Sequence, residues 1–286
     1  MVKVRADTMP EGTCRIDKVI KGRRVTDGAG VSLYRIMPTE ELDSVDPFFL
    51  LDEFRSENPG DYMAGFPMHP HRGIETITYM LEGRFTHRDS KGHQGEMGPG
   101  DVQWMTAGRG ILHEEMPAMK DGKLWGYQLW LSLSKKDKMV PPRYQHLDSG
   151  EMPVVDGEGS RVRVISGEYA DKVGPAKNYV PSVYLDVRLF EDSLFSLSVD
   201  PGMNKFVYVH TGRVSFGDHA LSRGETGILG EGNLVEAEGV GESSGFLLFA
   251  GIPNNEPVAR GGPFVMNTRE ELYQAFEDYR NGVLHI

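Results

Sequence analysis

The chain has little cysteine, no long apolar run and no excess of basic residues, and each absence excludes a class of protein. Cys14 is the single cysteine among 286 residues, so no intrachain disulfide can form, and we expect a reducing cytoplasm. No window approaches the roughly 18 consecutive apolar residues of a transmembrane helix. The net charge of −11 argues against direct nucleic-acid binding, because phosphate neutralisation needs clustered Lys and Arg.

The N-terminal residues MVKVRADTMPEG also lack the apolar core that is typical of a signal peptide. We therefore expect no secretory leader and no membrane partner.

Turn-forming residues are abundant and predict many short strands. The 35 glycines and 17 prolines are spread along the chain rather than clustered. From Trp125 to Ser132 apolar residues alternate with others, which is the period of a strand with one apolar face. One helix is expected near the end, where Thr268 and Glu271 match a capping box. Apolar side chains then follow at helical spacing, at Leu272, Ala275, Phe276 and Tyr279.

Two short pairs of metal-capable side chains carry most of the functional information. They are His69 with His71, and His113 with Glu115. On a strand, residues two apart point to the same face, so each pair converges and Glu114 faces away. Three imidazoles and one carboxylate suit a divalent iron, manganese, nickel, copper or zinc ion. Four protein ligands leave two positions of an octahedral field open, which favours chemistry over a structural metal.

A polar stretch divides the chain into two halves of similar style. We predict an N-terminal metal-binding barrel at residues 1–140, a linker region at 141–165 and a C-terminal barrel at 166–286 that ends in the helix. The strand and turn around Gly212 resemble those around Gly83, a weak internal repeat that suggests one duplicated unit.

The alignment of the two halves predicts that only the first one binds metal. It places Ser198 and Asp200 of the second half where His69 and His71 stand in the first. The C-terminal barrel is therefore expected to lack metal ligands.

The motifs around both pairs resemble those of a known family. Residues 65–75 resemble the first cupin motif, in which His-x-His is followed after three residues by Glu. Residues 103–117, QWMTAGRGILHEEMP, resemble the second cupin motif in its pirin form, and residues 262–268 before the helix also look pirin-like. The resemblance covers about residues 15 to 286. It implies an all-β fold of two cupin-type β-barrels, a bicupin, with a C-terminal helix and a metal in the first barrel only.

Carried onto this sequence residue by residue, the family's metal ligands fall on His69, His71, His113 and Glu115. Fe(II) is the metal that the resemblance favours, although the ligand set alone accepts Mn, Ni, Cu or Zn.

Two glutamates compete for the carboxylate position. In most cupins the first motif supplies it, here Glu75, whereas in pirins the second motif does, here Glu115. The parity of the positions does not decide the question, because 69, 71, 75, 113 and 115 are all odd. Following the pirin pattern, we assign Glu115 to the metal and expect Glu75 to orient a ligand imidazole.

The resemblance implies a quercetin 2,3-dioxygenase-like oxidoreductase. A flavonol would bind through its 3-hydroxyl as the anion, with Glu115 as the general base, and dioxygen would open the ring with release of carbon monoxide. The expected partners are a small aromatic, flavonol-like substrate and O₂. The alternative, also drawn from the family, is a metal- or redox-dependent regulator that binds a protein partner, like a transcription coregulator, without physiological catalysis. An open aromatic-lined route to the metal favours the enzyme, and an exposed patch favours the regulator.

Several other side chains are weaker candidates. His87 and His93 lie in a charged hairpin-like stretch and are expected to be structural or near the site, whereas His210 has no partner pattern and is expected at the surface. Four large residues are candidates for lining an aromatic pocket, with core packing as the alternative: Trp104, Met105, Trp125 and Trp130.

Overall fold

The structure of the protein is a computed structural model that describes residues 12–190 and 192–286. Residues 1–11, most of the segment without signal-peptide character, lie outside the described residues. The first twelve strands are β1 (Ile16–Lys21), β2 (Arg23–Asp27), β3 (Val31–Met37), β4 (Phe48–Ser56), β5 (Phe66–His71), β6 (Ile74–Glu82), β7 (Phe85–Asp89), β8 (Gln94–Met97), β9 (Val102–Thr106), β10 (Ile111–Pro117), β11 (Leu124–Ser132) and β12 (Arg143–Leu147). The others are β13 (Val154–Gly157), β14 (Ser160–Ser166), β15 (Glu168–Tyr169), β16 (Lys172–Val173), β17 (Ser182–Phe190), β18 (Leu194–Ser198), β19 (Asn204–Phe216), β20 (His219–Ser222), β21 (Glu225–Leu229), β22 (Leu234–Gly251), β23 (Ala259–Gly261) and β24 (Phe264–Met266). A short 3₁₀ turn, Pro59–Asp61, and one α-helix, α1 (Arg269–Arg280), complete the elements of the described chain, and the all-β prediction is confirmed.

Strands β2 to β12 build the N-terminal barrel from two sheets. One has seven strands in the order β12-β9-β6-β11-β4-β3-β2, and the other has four in the order β5-β10-β7-β8. Their inner faces meet, since Glu115 of β10 accepts hydrogen bonds from Thr78 of β6 and Gln128 of β11. This closed double-sheet arrangement is the one expected of a cupin barrel.

The C-terminal barrel is built around a nine-stranded sheet. Its main path is β1-β21-β19-β22-β17-β14-β13, while β18 pairs with β22 and β20 pairs with β19. Apolar side chains fill its interior, among them Val187, Phe195, Val207 and Phe246.

Two predicted domain boundaries need correction. Strands β13 and β14 fall inside the predicted linker, yet they pair with each other, and β14 also pairs with β17 of the C-terminal sheet. The stretch looks polar in the sequence because it contains Arg161 and Arg163. Val162 and Val164 alternate with these arginines and are fully buried. Strand β1, predicted to belong to the N-terminal barrel, pairs with β21 and so belongs to the C-terminal one.

The two barrels share a continuous core. Buried side chains from both form one cluster, which includes Tyr127, Leu129, Phe206 and Phe249. Two buried hydrogen bonds cross the same interface: Tyr208 donates to Glu53 and Tyr79 donates to Asp186, each at 2.7 Å. His210, expected at the surface, is buried there, and its Nε2 lies 3.0 Å from Asp186 Oδ1. A single sequence gives no signal for such an interface, which is why this prediction was wrong.

The predicted C-terminal helix is present and carries the predicted cap. Thr268 accepts a hydrogen bond from the Glu271 amide, and the Glu271 carboxylate accepts one from the Thr268 amide at 3.0 Å. The helix packs on the N-terminal barrel, where Asp278 pairs with Arg72 at 2.6 Å. Arg72 directly follows His71, so α1 stabilises the end of a strand that bears candidate ligands.

A tight turn joins that strand, β5, to β6. Gly73 adopts φ +79°, and a Cβ there would lie 2.1 Å from the carbonyl oxygen of Val265, so only glycine fits. The buried Lys138 ammonium donates to the Gly73 carbonyl at 2.9 Å and to Ser132 Oγ at 2.8 Å. Burial lowers the pKa of Lys138 to about 7, despite the opposing effect of the nearby carboxylates of Glu256 and Glu271.

The low pKa of Lys138 predicts a pH-dependent stability. Between pH 7 and 10.5 the unfolded chain keeps the lysine proton that the folded chain has released, so the free energy of unfolding rises with pH in this window. From pH 7.5 to 9.5 we expect the wild type to gain roughly 2 kcal/mol relative to Lys138→Met. Urea unfolding of both proteins at the two pH values measures this difference. A stability difference that does not change with pH contradicts the assignment.

Candidate metal centre

Both predicted ligand pairs lie on neighbouring strands of the four-stranded sheet. Strands β5 and β10 are antiparallel, and His113 lies directly opposite His69. The register shifts between His113 and Glu115, so that Glu115 lies opposite Phe66. Because side chains alternate along a strand, the predicted ligand side chains of both pairs point into the barrel. Glu114 faces the other way, and its Oε1 lies 2.8 Å from the Arg88 guanidinium, as the alternation predicts.

The three imidazoles converge. The nitrogens that His69, His71 and His113 can offer to a metal all lie within 4.8 Å of one another. His69 Nδ1 lies 2.9 Å from the Pro67 carbonyl oxygen, and His71 Nδ1 lies 3.1 Å from that of Pro263. A carbonyl only accepts, so each Nδ1 carries the proton and each Nε2 presents its lone pair. These two Nε2 atoms are 3.1 Å apart, and because neither carries a proton, no hydrogen bond joins them. Two lone pairs that face each other at this distance fit a cation bound by both.

His113 provides an independent test of the fit. Its side chain is completely buried, and neither Nδ1 nor Nε2 has a hydrogen-bond partner. An unpaired buried polar group is costly, and a metal bond to one nitrogen removes part of that cost. Burial, followed by the neighbouring histidines, lowers the pKa of both His113 and His71 well below the ordinary value. Both rings are therefore neutral near pH 7, the form that binds metal, and the donor set fits a divalent transition metal.

Glu115 stands beside this group and is held by hydrogen bonds. Its Oε1 accepts from Thr78 Oγ1 at 2.5 Å and Gln103 Nε2 at 3.0 Å, and its Oε2 accepts from Gln128 Nε2 at 2.7 Å. It is almost fully buried, and it is not one of the three residues whose ligand atoms lie within 4.8 Å of one another. The three donors fix the orientation of the carboxylate.

The donors to Glu115 were not identified from the sequence. They come from three strands of the opposite sheet, at Thr78, Gln103 and Gln128. The available signal was the alternation in β11, whose Gln128 face is the less apolar one. In a barrel that face can line the interior instead of solvent, whereas Tyr127 and Leu129 on the apolar face pack into the shared core.

The expectation for Glu75 is not met. Its carboxylate accepts from Thr106 Oγ1 at 2.7 Å and from the Tyr179 amide at 3.3 Å, rather than from an imidazole. Parity along the chain fails here because the Gly73 turn carries the chain from one sheet to the other. Glu75 and Thr78 are three residues apart on β6 and so face opposite ways, and Thr78 is the one that faces Glu115.

A pocket of about 710 Å³ leads to the centre. His69, His71, Glu115 and Gln128 lie on its wall, and Trp130 is the one member of the four aromatic-pocket candidates that lines it. The Trp130 ring contacts the His71 ring edge-on, with centroids 4.9 Å apart. The other three candidates are buried in apolar cores, as the alternative of core packing predicts: Trp104, Met105 and Trp125.

His87 and His93 lie behind the centre, on the side of β7. His87 is buried with its ring centroid 5.5 Å from that of His113, and it stacks on Tyr144 at 4.5 Å. Asp89 accepts from His93 Nδ1 at 2.8 Å and lies 3.4 Å from His87 Nε2. His87 thus contacts a candidate ligand ring without being one of the converging three.

The chain is similar to known proteins over nearly its whole length. The Pirin family profile matches residues 30–131, and the profile of the pirin C-terminal cupin domain matches residues 184–285. A pirin-like protein of Caulobacter vibrioides is 43% identical over 270 residues, 93% of this chain and 97% of that protein. Human pirin is 44% identical over 268 residues, 92% of this chain and 91% of that protein.

A solved structure is similar in fold as well. The crystal structure of a quercetin 2,3-dioxygenase from Acinetobacter baumannii matches with a TM-score of 0.88 and 34% identity, over 95% of this chain and 98% of that one. The family profiles, the relatives and this fold agree, and the chain belongs to the pirin family, with two cupin domains.

Proposed function

We propose that the protein is a metal-dependent dioxygenase that cleaves a flavonol, or a quercetin-like compound, with O₂. The observation that carries this proposal is the pocket of about 710 Å³ that opens onto the converging histidines. A pocket of this size accommodates a small multi-ring molecule, and its wall of apolar side chains with a few polar groups is typical of a small-molecule site. The similarity to a structure described as a quercetin 2,3-dioxygenase supports the same reading.

We assign the imidazole ligands to His69, His71 and His113 and the completing carboxylate to Glu115. Fe(II) is the proposed metal, and Mn, Ni, Cu and Zn remain compatible with these donors. When bound, the metal supplies a positive charge that favours an ionised substrate hydroxyl, together with the redox chemistry that dioxygen requires.

Glu115 is the proposed general base. Glu115 and Gln128 both line the pocket, where the carboxylate can take the proton of a substrate hydroxyl. Thr78, Gln103 and Gln128 keep the carboxylate oriented while the proton moves. Trp130 offers a flat apolar face next to His71, which suits an aromatic ring and excludes water from the reacting end.

Removing one donor to Glu115 is expected to slow turnover. Thr78→Val preserves the shape of the side chain but removes the hydroxyl that bonds to Oε1. We expect kcat to fall about 10-fold to 100-fold, the usual cost of losing an outer partner of a metal site. Thr86→Val is the matched control, because Thr86 is exposed on β7 and bonds only to the Met116 carbonyl. Equal effects of the two substitutions contradict the role of Thr78.

The function is tested by following quercetin absorbance in aerobic buffer with Fe(II)-loaded protein. We expect quercetin loss that depends on protein and disappears in His113→Ala. A fully loaded protein that leaves quercetin unchanged overturns the proposal. That result would favour the alternative, a regulator whose metal serves recognition of a protein partner.

A further inference from the structure

A row of polar side chains crosses the seven-stranded sheet of the N-terminal barrel. The strand registers pair Arg35 with Asp52, Asp52 with Gln128, Gln128 with Thr78 and Thr78 with Gln103. The last three are the residues that bond to Glu115. The row therefore continues from the carboxylate beside the metal centre to an ion pair on the next two strands. Asp52 lies one strand beyond Gln128 and Arg35 lies two strands beyond it, roughly 5 and 10 Å away at the usual strand spacing.

The far end of the row is a charged cluster with an excess of acid. The Arg35 guanidinium donates to both oxygens of Asp52, at 2.9 and 2.7 Å, and its Nη2 also lies 2.6 Å from Asp27 Oδ2. Asp52 is only 4% exposed, whereas the Asp27 side chain is half exposed, and both residues line the pocket. One guanidinium and two carboxylates leave one net negative charge, which favours a hydrogen-bond donor over an anion.

This cluster belongs to the same pocket as the metal centre. The pocket is lined by every second residue of one part of β4, namely Leu50, Asp52 and Phe54. His69 and Glu115 line the same pocket. A buried ion pair does not by itself favour folding over an apolar pair, because both charges lose their hydration. A buried carboxylate with unused lone pairs is, however, a strong acceptor for a hydroxyl group.

We propose that Asp52 is a specificity-determining residue that accepts a hydrogen bond from a phenolic hydroxyl on the part of the substrate far from the metal. This inference rests on the proposed function and adds to it a substrate class: aromatics that carry a hydroxyl at the end far from the metal as well as at the metal end. Burial, which outweighs the effect of Arg35, raises the pKa of Asp52 to about 6, so it is an acceptor at pH 7.5.

The test compares the binding of two flavonols to Fe(II)-loaded protein at pH 7.5 without oxygen, so that no turnover occurs. Quercetin carries hydroxyls on both ring systems, whereas 3-hydroxyflavone carries only the 3-hydroxyl. Calorimetry and quenching of tryptophan fluorescence report the dissociation constants. We expect Asp52→Asn to weaken quercetin binding about 10-fold and to leave 3-hydroxyflavone within about twofold of wild type. Asp171→Asn, an exposed change in the other barrel, is the matched control and is expected to alter neither.

The outcomes separate this inference from the proposed function. If Asp52→Asn weakens both ligands equally, or neither, Asp52 does not select the far hydroxyl and the inference is overturned. If the wild type binds no flavonol at all, the proposed function fails and the inference fails with it. Should the variant not fold, quercetin methylated at its 5-, 7-, 3′- and 4′-hydroxyls decides on the wild type. Binding as tight as that of quercetin overturns the role of Asp52, and binding about 10-fold weaker supports it.

Discussion

His113→Ala is expected to leave the purified protein without metal. His113 is the only candidate ligand for which neither ring nitrogen has another partner, so its lone pair has no competing use in the folded chain. Its ring centroid lies 4.3 Å from that of His69 and 5.0 Å from that of His71, and its loss leaves two imidazoles to hold the ion. Metal content measured by mass spectrometry after loading and desalting should fall from about one ion per chain to background.

Glu114→Ala is the matched control for that substitution. Glu114 is the next residue on the same strand, but its carboxylate pairs with Arg88 on the outer side. The Glu114→Ala variant should fold normally, because surface ion pairs contribute little to stability. It should keep its full metal content, because the side chain that it loses points away from the metal centre. Equal metal loss in both variants would show that strand alternation does not select the ligands.

Among the variants that still fold, Glu115→Gln is expected to lower kcat the most. The amide keeps the size of the carboxylate but can neither accept the substrate proton nor offer an anionic oxygen. We expect kcat for quercetin to fall about 100-fold or more, as for the loss of a general base. The three imidazoles remain, so part of the metal should be retained, and steady-state rates are therefore normalised to measured metal content.

Glu75→Gln separates the two glutamates. Glu75 is fully buried, but its contacts are Thr106 and the Tyr179 amide, away from the pocket. The kcat and the metal content of the Glu75→Gln variant should match those of the wild type. If Glu75→Gln loses the metal while Glu115→Gln keeps both metal and activity, the carboxylate has been assigned to the wrong residue.

Alternation within one strand predicts which neighbouring side chains share a face. It placed His69 with His71 and turned Glu114 away from His113, because a strand repeats every two residues whatever surrounds it. The pairing of β5 with β10 could not be read from these residues alone, and it was the motif resemblance that joined the two pairs. The C-terminal helix was equally accessible, since the Thr268 and Glu271 cap is a local interaction.

The errors arose where tertiary structure changes the meaning of a local pattern. Glu75, expected to orient an imidazole, bonds instead to Thr106 and Tyr179, because the glycine turn after His71 carries the chain to the other sheet. The polar face of β11 holds Gln128 in a barrel interior, and the buried His210 lies at an interface between barrels. None of these contacts is local in sequence, so the sequence alone does not show which residues meet, and for Gln128 it offers only the less apolar face of β11.

Carbon monoxide release tests the central claim most directly. Protein loaded with Fe(II) is mixed with quercetin in air-saturated buffer, and the gas is quantified against the quercetin consumed. We predict about one carbon monoxide per quercetin from the wild type and none above background from His113→Ala, because ring cleavage would depend on the metal that this histidine helps to hold. Quercetin that disappears without carbon monoxide, or that persists in the presence of fully loaded protein, would contradict a flavonol dioxygenase.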